Sequence, residues 1–114
     1  MREKHTVRPA SVAGLFYDGS PDVLRKNIDE YLELARVPKL KGTVRGLVSP
    51  HAGYVYSGFT AAHAYKMIKG INYDCVIVVG PSHREYFDGV SIYPGDAYET
   101  PLGTIPIYIT TQFI

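Results

Sequence analysis

The sequence predicts an α/β fold built on a βαβ unit, with a mostly parallel sheet and flanking helices. Residues 75–79 form a continuous, β-branched run, which is typical of a strand covered on both faces. Residues 44–49 read as an earlier strand, and residues 59–69 between the two runs carry apolar side chains at helical spacing. Strand, helix and strand in so short a span indicate a βαβ unit.

Size and composition fit a single α/β domain over residues 1–114. At 114 residues a chain builds one core. Twelve Lys and Arg against 11 Asp and Glu leave a net charge of +1, and no cationic run is present, so we expect neither a nucleic acid nor an acidic membrane as partner. One cysteine, Cys75, and no long apolar run predict a soluble, cytoplasmic protein.

The first predicted helix begins near Ser20 and ends near Arg36. Ser20 suits the N-cap and Pro21 the first helical position, and Pro38 disfavours helical geometry in the residue before it. Apolar residues at helical spacing make one stripe on this helix. Residues 8–17, which precede it, are interrupted by Pro9 and Gly14 and predict an ordered loop or a short strand.

The remaining elements follow from similar signals. The helix over residues 59–69 is expected to stop at Gly70 in a left-handed conformation. Residues 90–93 and 104–110 are predicted strands, and Pro106 in the latter indicates an edge strand or a bulge. Residues 100–103, Thr-Pro-Leu-Gly, predict a turn.

Two histidines follow the two strands of the predicted βαβ unit. His51 lies just after the first strand and His83 just after the second. The carboxyl ends of parallel strands meet at one sheet edge, where ligands bind in open α/β folds. We therefore expect the two imidazoles to converge on one metal ion or one substrate. His63, in the middle of a helix, is interpreted as a structural residue.

The rest of the site is less constrained. Glu85 and Asp88 are the best placed candidates for a third metal ligand, whereas Cys75 begins its strand and lies at the wrong edge. Pocket residues are predicted on the loops after the strands: Tyr54, Gly53 and Ser82. Ten tyrosines with no tryptophan suit a half-wet surface such as a pocket mouth or a subunit contact.

Four motifs, in order, resemble the Memo family, whose prokaryotic members are called protein B of the AmmeMemoRadiSam system. The motifs are Arg8-Pro9 with Ala13-Gly14 and Phe16-Tyr17, then Pro50-His51-Ala52-Gly53-Tyr54 with Tyr56-Ser57-Gly58, then Gly80-Pro81-Ser82-His83, and finally Thr100-Pro101-Leu102-Gly103. Memo-like proteins are similar to the class III extradiol dioxygenases, which are non-haem Fe(II) enzymes with an α/β fold.

The resemblance implies His51 and His83 as two metal ligands, with Fe(II) as the first choice of ion and copper or zinc as alternatives. The third family ligand, a cysteine or carboxylate, lies in the C-terminal half of longer relatives and has no counterpart here. We therefore expect the N-terminal part of the fold, with an exposed apolar face that an oligomer or a missing C-terminal segment covers. The prokaryotic name implies a radical-SAM protein and an AMMECR1-like protein as pathway partners.

Three functions remain open at this point. The first is a metal-dependent oxidoreductase that uses the histidine pair. The second is a non-catalytic module in which the same pair binds an anionic or phosphorylated ligand or partner. The third and weakest is a metal-dependent hydrolase with a histidine-bound water.

Overall fold

The computed structural model describes residues 6–108 and contains two helices and three strands in that range. The elements are β1 (Val7–Arg8), α1 (Pro21–Leu34), α2 (Tyr54–Lys66), β2 (Ala97–Thr100) and β3 (Gly103–Pro106). This is a small α/β arrangement, as expected, although its sheet is not the predicted one. No helix within residues 6–108 has the length and apolar character needed to cross a membrane.

The sheet is mixed and joins the two ends of the described chain. Its strand order is β1-β2-β3, in which β1 pairs with β2 in parallel and β2 pairs with β3 antiparallel. The predicted turn over residues 100–103 forms the β2–β3 hairpin, where Thr100 Oγ1 accepts from the Leu102 N–H at 3.2 Å. Gly103 has φ 135°, a conformation that L side chains rarely adopt.

Helix α1 lies where the sequence places it. Pro21 occupies the first turn and the helix ends at Leu34, two residues before the expected end, with Ala35 as its C-cap. Ser20 is the N-cap residue but makes no side-chain capping bond; its own N–H donates to Asp18 Oδ1 at 2.8 Å instead. This bond orders the turn that precedes the helix.

Helix α2 begins at Tyr54, five residues before the predicted start at Phe59. Gly53 is its N-cap, and the Tyr54 N–H donates to the Phe16 carbonyl at 2.7 Å. Gly58 was expected in a loop but is a buried helical residue. The helix ends at Lys66, and Gly70 has the left-handed φ of 80° that the sequence predicts for the stop.

The two helices pack closely because Gly58 has no side chain. A Cβ at Gly58 would lie 2.9 Å from Tyr31 Cε2 and 3.2 Å from Tyr54 Cβ. Lys66 of α2 donates to the Ala35 carbonyl at 2.8 Å and so binds the C-terminal end of α1. Buried apolar residues in the described range are few, and two of the four lie at this helix pair: Leu24, Ala35, Ala62 and Ala97.

The predicted βαβ strands do not form. Neither residues 44–49 nor residues 75–79 are in a strand ladder, and residues 90–93 form no strand either. The run from Val76 to Val79 is 67–89% exposed, so no neighbour covers either of its faces. A parallel strand needs paired neighbours and packed layers on both faces, and residues 6–108 supply neither for this run. Of the predicted strand over residues 104–110, only Thr104 to Pro106 belongs to β3, and residues 109 and 110 lie outside the described residues.

Side-chain contacts connect two segments, residues 44–51 and residues 73–83, which form no strand ladder with each other. The Tyr73 hydroxyl donates to the Val44 carbonyl at 2.9 Å, and His51 meets His83 at the other end. The first residues of the two segments contact each other, and so do the last residues. The two segments therefore run in the same direction. The predicted parallel sense is therefore present without β pairing.

Much apolar surface is exposed. Within residues 6–108, for example, Val55, Val79 and Val90 are 86–89% exposed. Val48 is 99% exposed. Large apolar side chains are thus exposed in the described residues, and the partner or segment that covers them stays a prediction.

Replacing Gly58 with valine should loosen the helix pair. The added side chain overlaps Tyr31 and Tyr54, and overpacking of this kind costs about 1–3 kcal/mol of unfolding free energy. Urea unfolding followed by circular dichroism measures the loss. Gly46→Val is the control, because a Cβ there has no heavy atom within 4 Å. Equal stability of the two variants would contradict the close contact.

Candidate functional site

The two histidines meet at the ends of the two connected segments. His51 Nε2 and His83 Nε2 lie 3.2 Å apart, and the ring centroids are separated by 5.3 Å with a 50° angle between planes. Both side chains are exposed. The structure thus brings together two residues that are 32 positions apart in sequence.

The separation of the two nitrogens fits either of two links. At 3.2 Å one Nε2–H can donate to the other ring, with the direction set by the tautomers. Two imidazole nitrogens bound tetrahedrally to one ion at about 2.0–2.1 Å also lie about 3.3 Å apart. The pair therefore fits a shared metal ion as well as a shared proton, and imidazole suits zinc, copper and iron.

No third ligand joins the pair within residues 6–108, where no group of three His, Cys, Asp or Glu side chains could hold a metal ion. Glu85 accepts a hydrogen bond from Ser82 Oγ through its backbone oxygen, at 2.6 Å. Asp88 Oδ1 accepts from the Tyr86 hydroxyl at 3.0 Å. Within residues 6–108 neither carboxylate forms a three-ligand group with the histidine pair, and Glu85 or Asp88 as the third ligand stays a prediction. Cys75 is exposed and unpaired.

His63 is a structural residue, as the sequence predicts. Its Nδ1 bonds to the Phe59 carbonyl one helical turn earlier, at 2.9 Å. The imidazole also packs on the Phe59 ring, with centroids 4.9 Å apart at 74°. His63 is consequently engaged within α2 and takes no part in the histidine pair.

A cleft of about 410 Å³ adjoins His51, between α1 and α2. Four tyrosines and two polar groups, His51 and Ser57, contribute to its wall, and the other lining residues are apolar or glycine. The tyrosines come from three segments: Tyr17, Tyr31, Tyr54 and Tyr65. Its volume lies within the range of small-molecule sites in proteins.

Of the three predicted pocket residues, Tyr54 lines the cleft, whereas Gly53 and Ser82 do not. Tyr54 lines the cleft from the first turn of α2 and not from a loop. Gly53 is the N-cap of that helix and packs on the backbone of Phe16. Ser82 is engaged in its own turn with Glu85 and is not among the residues that line the cleft.

Sequence reasoning missed three of the four cleft tyrosines. Tyr17 comes before α1, Tyr31 lies on α1, and Tyr65 lies near the end of α2. Their meeting depends on how the two helices pack, which no local pattern specifies. The high tyrosine count was the available signal, since amphipathic rings suit a half-wet pocket mouth.

Tyr54 has a perturbed hydroxyl. Partial burial raises its pKa above the ordinary value of 10.0, and the neighbouring Tyr17 and Tyr65 raise it further. The ring of Tyr17 packs against that of Tyr54 with centroids 5.6 Å apart. Tyr54 therefore keeps its proton at neutral pH and can donate a hydrogen bond into the cleft.

The structure defines a small α/β chain with a histidine pair beside a cleft. The model of the Memo-like protein family matches residues 8–111, and the chain belongs to this family. It is 41% identical over 112 residues to a MEMO1 family protein of Sulfurisphaera tokodaii. The matched part covers 89% of the chain and 39% of that relative.

Two further relatives show the same partial coverage. The chain is 41% identical to a MEMO1 family protein of Aquifex aeolicus over 89% of its own length and 36% of the relative's. It is 40% identical to the protein memo-1 homolog of Caenorhabditis elegans over 90% of its length and 28% of the relative's. The chain thus spans about two fifths or less of the curated relatives that it matches.

The pKa of Tyr54 makes stability depend on pH. Between 10.0 and the raised value the folded state holds a proton that the unfolded state releases, so the free energy of unfolding falls as pH rises through this window. When the pH rises from about 8 to about 10.5, the free energy of unfolding of Tyr54→Phe should fall less than that of the wild type. Urea unfolding at the two pH values measures this.

Tyr56→Phe is the control for that experiment. Tyr56 lies on the same helix, is 87% exposed and does not line the cleft. Its variant should follow the wild type at both pH values. If Tyr54→Phe also loses as much stability as the wild type, the raised pKa is contradicted.

Proposed function

We propose that the chain forms part of a metal centre in which His51 and His83 bind one divalent ion through their Nε2 atoms. The observation that carries the proposal is the 3.2 Å separation of these atoms, which fits two ligands of one ion. Fe(II) is the first choice, as the likeness to extradiol dioxygenases implies, and copper or zinc are the alternatives. Such an ion, when bound, supplies redox or Lewis-acid chemistry.

Other residues of this chain support that site. The bond from Tyr73 to Val44 fixes the early ends of the two segments, so the imidazoles at the late ends remain close. His51 also lines the cleft, which places a ligand bound there next to the histidine pair. The protonated Tyr54 hydroxyl supplies a hydrogen-bond donor in the same space. On the resemblance to extradiol dioxygenases, we propose an oxidoreductase of that type, and we propose the cytoplasm as its location.

The two ligands do not complete a metal centre. Catalytic sites commonly take three protein ligands and keep one position open. The third must come from outside residues 6–108, because no third candidate joins the pair there. Relatives more than twice the length of this chain have room for such a residue.

Metal titration of single variants tests the proposal. Under anaerobic conditions the wild type should bind one equivalent of Fe(II), and His51→Ala and His83→Ala should each weaken binding by about tenfold or more, since each removes one ligand. His63→Ala is the matched control, because His63 bonds within its own helix. Equal metal content in all four proteins would defeat the proposal.

A non-catalytic module is the second candidate. Both imidazoles are exposed and could donate to an anionic or phosphorylated ligand without an ion. Phenyl phosphate distinguishes the two functions. Binding that survives chelation but is lost in His51→Ala favours the module over the metal centre.

The exposed apolar run also bears on assembly. Residues 75–79 carry no charge, and four of them are 67–89% exposed. Exposed, uncharged, β-branched segments are prone to pair with other chains. We propose that the chain, studied alone, covers this run by forming oligomers.

Charged substitutions in that run should reduce association. The double variant Val76→Lys and Val78→Lys should lower the sedimentation coefficient at high concentration to that of the monomer, because two cations repel across the contact. Val55→Lys is the matched control, since Val55 is 89% exposed on α2. A wild-type chain that stays monomeric at every concentration would rule out this contact.

A further inference from the structure

We propose that the tyrosine-lined cleft binds a small ligand through a methylated ammonium group. Four tyrosine rings from three segments surround the same space: Tyr17, Tyr31, Tyr54 and Tyr65. Tyrosine faces attract cations within about 6 Å of the ring centroid, and cages of such rings recognise quaternary ammonium groups. This goes beyond the metal centre and does not require a bound ion.

The rings are arranged as walls and not as a stack. Tyr17 and Tyr54 lie 5.6 Å apart at an angle of 48°, so they form a corner of the cleft. Tyr31 stands on α1 opposite, where it packs against Phe59 with centroids 6.3 Å apart. Tyr65, which is 53% exposed, lies nearest to solvent. A cation in this space therefore meets rings from more than one side.

No lysine or arginine in the lining repels a cation. The lining contains no lysine, arginine or carboxylate, and His51 is its one basic side chain. Among the described residues no hydrogen bond engages the hydroxyls of the four tyrosines, so their oxygens are available as acceptors. Burial raises the pKa of Tyr54, and the nearby Tyr17 and Tyr65 raise it further.

The same lining selects among cations. A primary ammonium is strongly hydrated and needs a carboxylate or several acceptors to replace its water. Methyl groups reduce that hydration and fill an apolar wall. With no carboxylate in the lining, the cleft should prefer a trimethylammonium group to an ammonium group. The volume of about 410 Å³ leaves room for the rest of a small ligand beside Ser57 and His51.

Choline and its uncharged isostere, 3,3-dimethylbutan-1-ol, provide the test. The two probes have nearly the same shape, so a difference in affinity reports the charge. Saturation transfer from the protein to the ligand methyl groups, measured in EDTA, should show choline binding at least about fivefold tighter than the isostere. Equal affinities would show a merely apolar cleft and overturn the proposal, as would no binding of choline.

Single variants locate the site. Tyr65→Leu should weaken choline binding about two- to fivefold through loss of one ring. Tyr56→Leu is the matched control, because Tyr56 is 87% exposed on the same helix and outside the cleft. Circular dichroism checks folding, and Tyr17→Leu serves as the second variant if Tyr65→Leu does not fold. Unchanged choline affinity in a folded cleft variant would overturn the assignment.

The presence of EDTA separates this test from that of the metal centre. Choline binding in EDTA with no Fe(II) binding in its absence would support the cleft and defeat the metal proposal. The reverse result would defeat the cleft and leave the metal proposal standing.

Discussion

The contact between His51 and His83 is the interaction on which the functional arrangement depends. It closes the late ends of two segments whose early ends are joined by Tyr73 and Val44, and no ladder hydrogen bond assists either link. These two contacts join the segments at the ends, where backbone hydrogen bonds would join two parallel strands along their length. An ion shared by the two imidazoles would replace a single exposed hydrogen bond with two coordinate bonds, so metal binding would increase local order.

The packing of α1 against α2 forms the tyrosine-lined cleft, which is the second part of the candidate site. Gly58 lets Tyr31 of α1 approach α2, and this approach forms the cleft beside His51. The histidine pair and the tyrosine walls therefore share one boundary but have different chemistry. The first presents nitrogen ligands, whereas the second presents ring faces and phenolic oxygens. A ligand held by the tyrosines would place its other end beside the histidines.

The sequence predicted the local features and the meeting of His51 with His83, and missed what depends on distant contacts. Pro21 and Pro38 bracket α1 by their own backbone restrictions, so that helix was predictable. The predicted second helix left out Gly58. A glycine is needed there because Tyr31, which is 27 positions away in sequence, packs against it, and no local pattern shows that contact. Residues 75–79 have the composition of a buried strand, but a strand needs neighbours, which composition does not supply. His51 and His83 were predictable as a pair because the parallel sense of their segments survives the loss of the ladder.

The most direct test of the histidine pair is a long-range ¹H–¹⁵N correlation spectrum of the imidazole rings during a Zn(II) titration, with Zn(II) as a diamagnetic probe. If one ion is shared, the Nε2 signals of His51 and His83 shift together and stop shifting at about one equivalent of metal. The signals of His63, whose Nδ1 bonds to Phe59, remain in place. A shift of one ring alone, or saturation of the two rings at different metal concentrations, would contradict a shared ion.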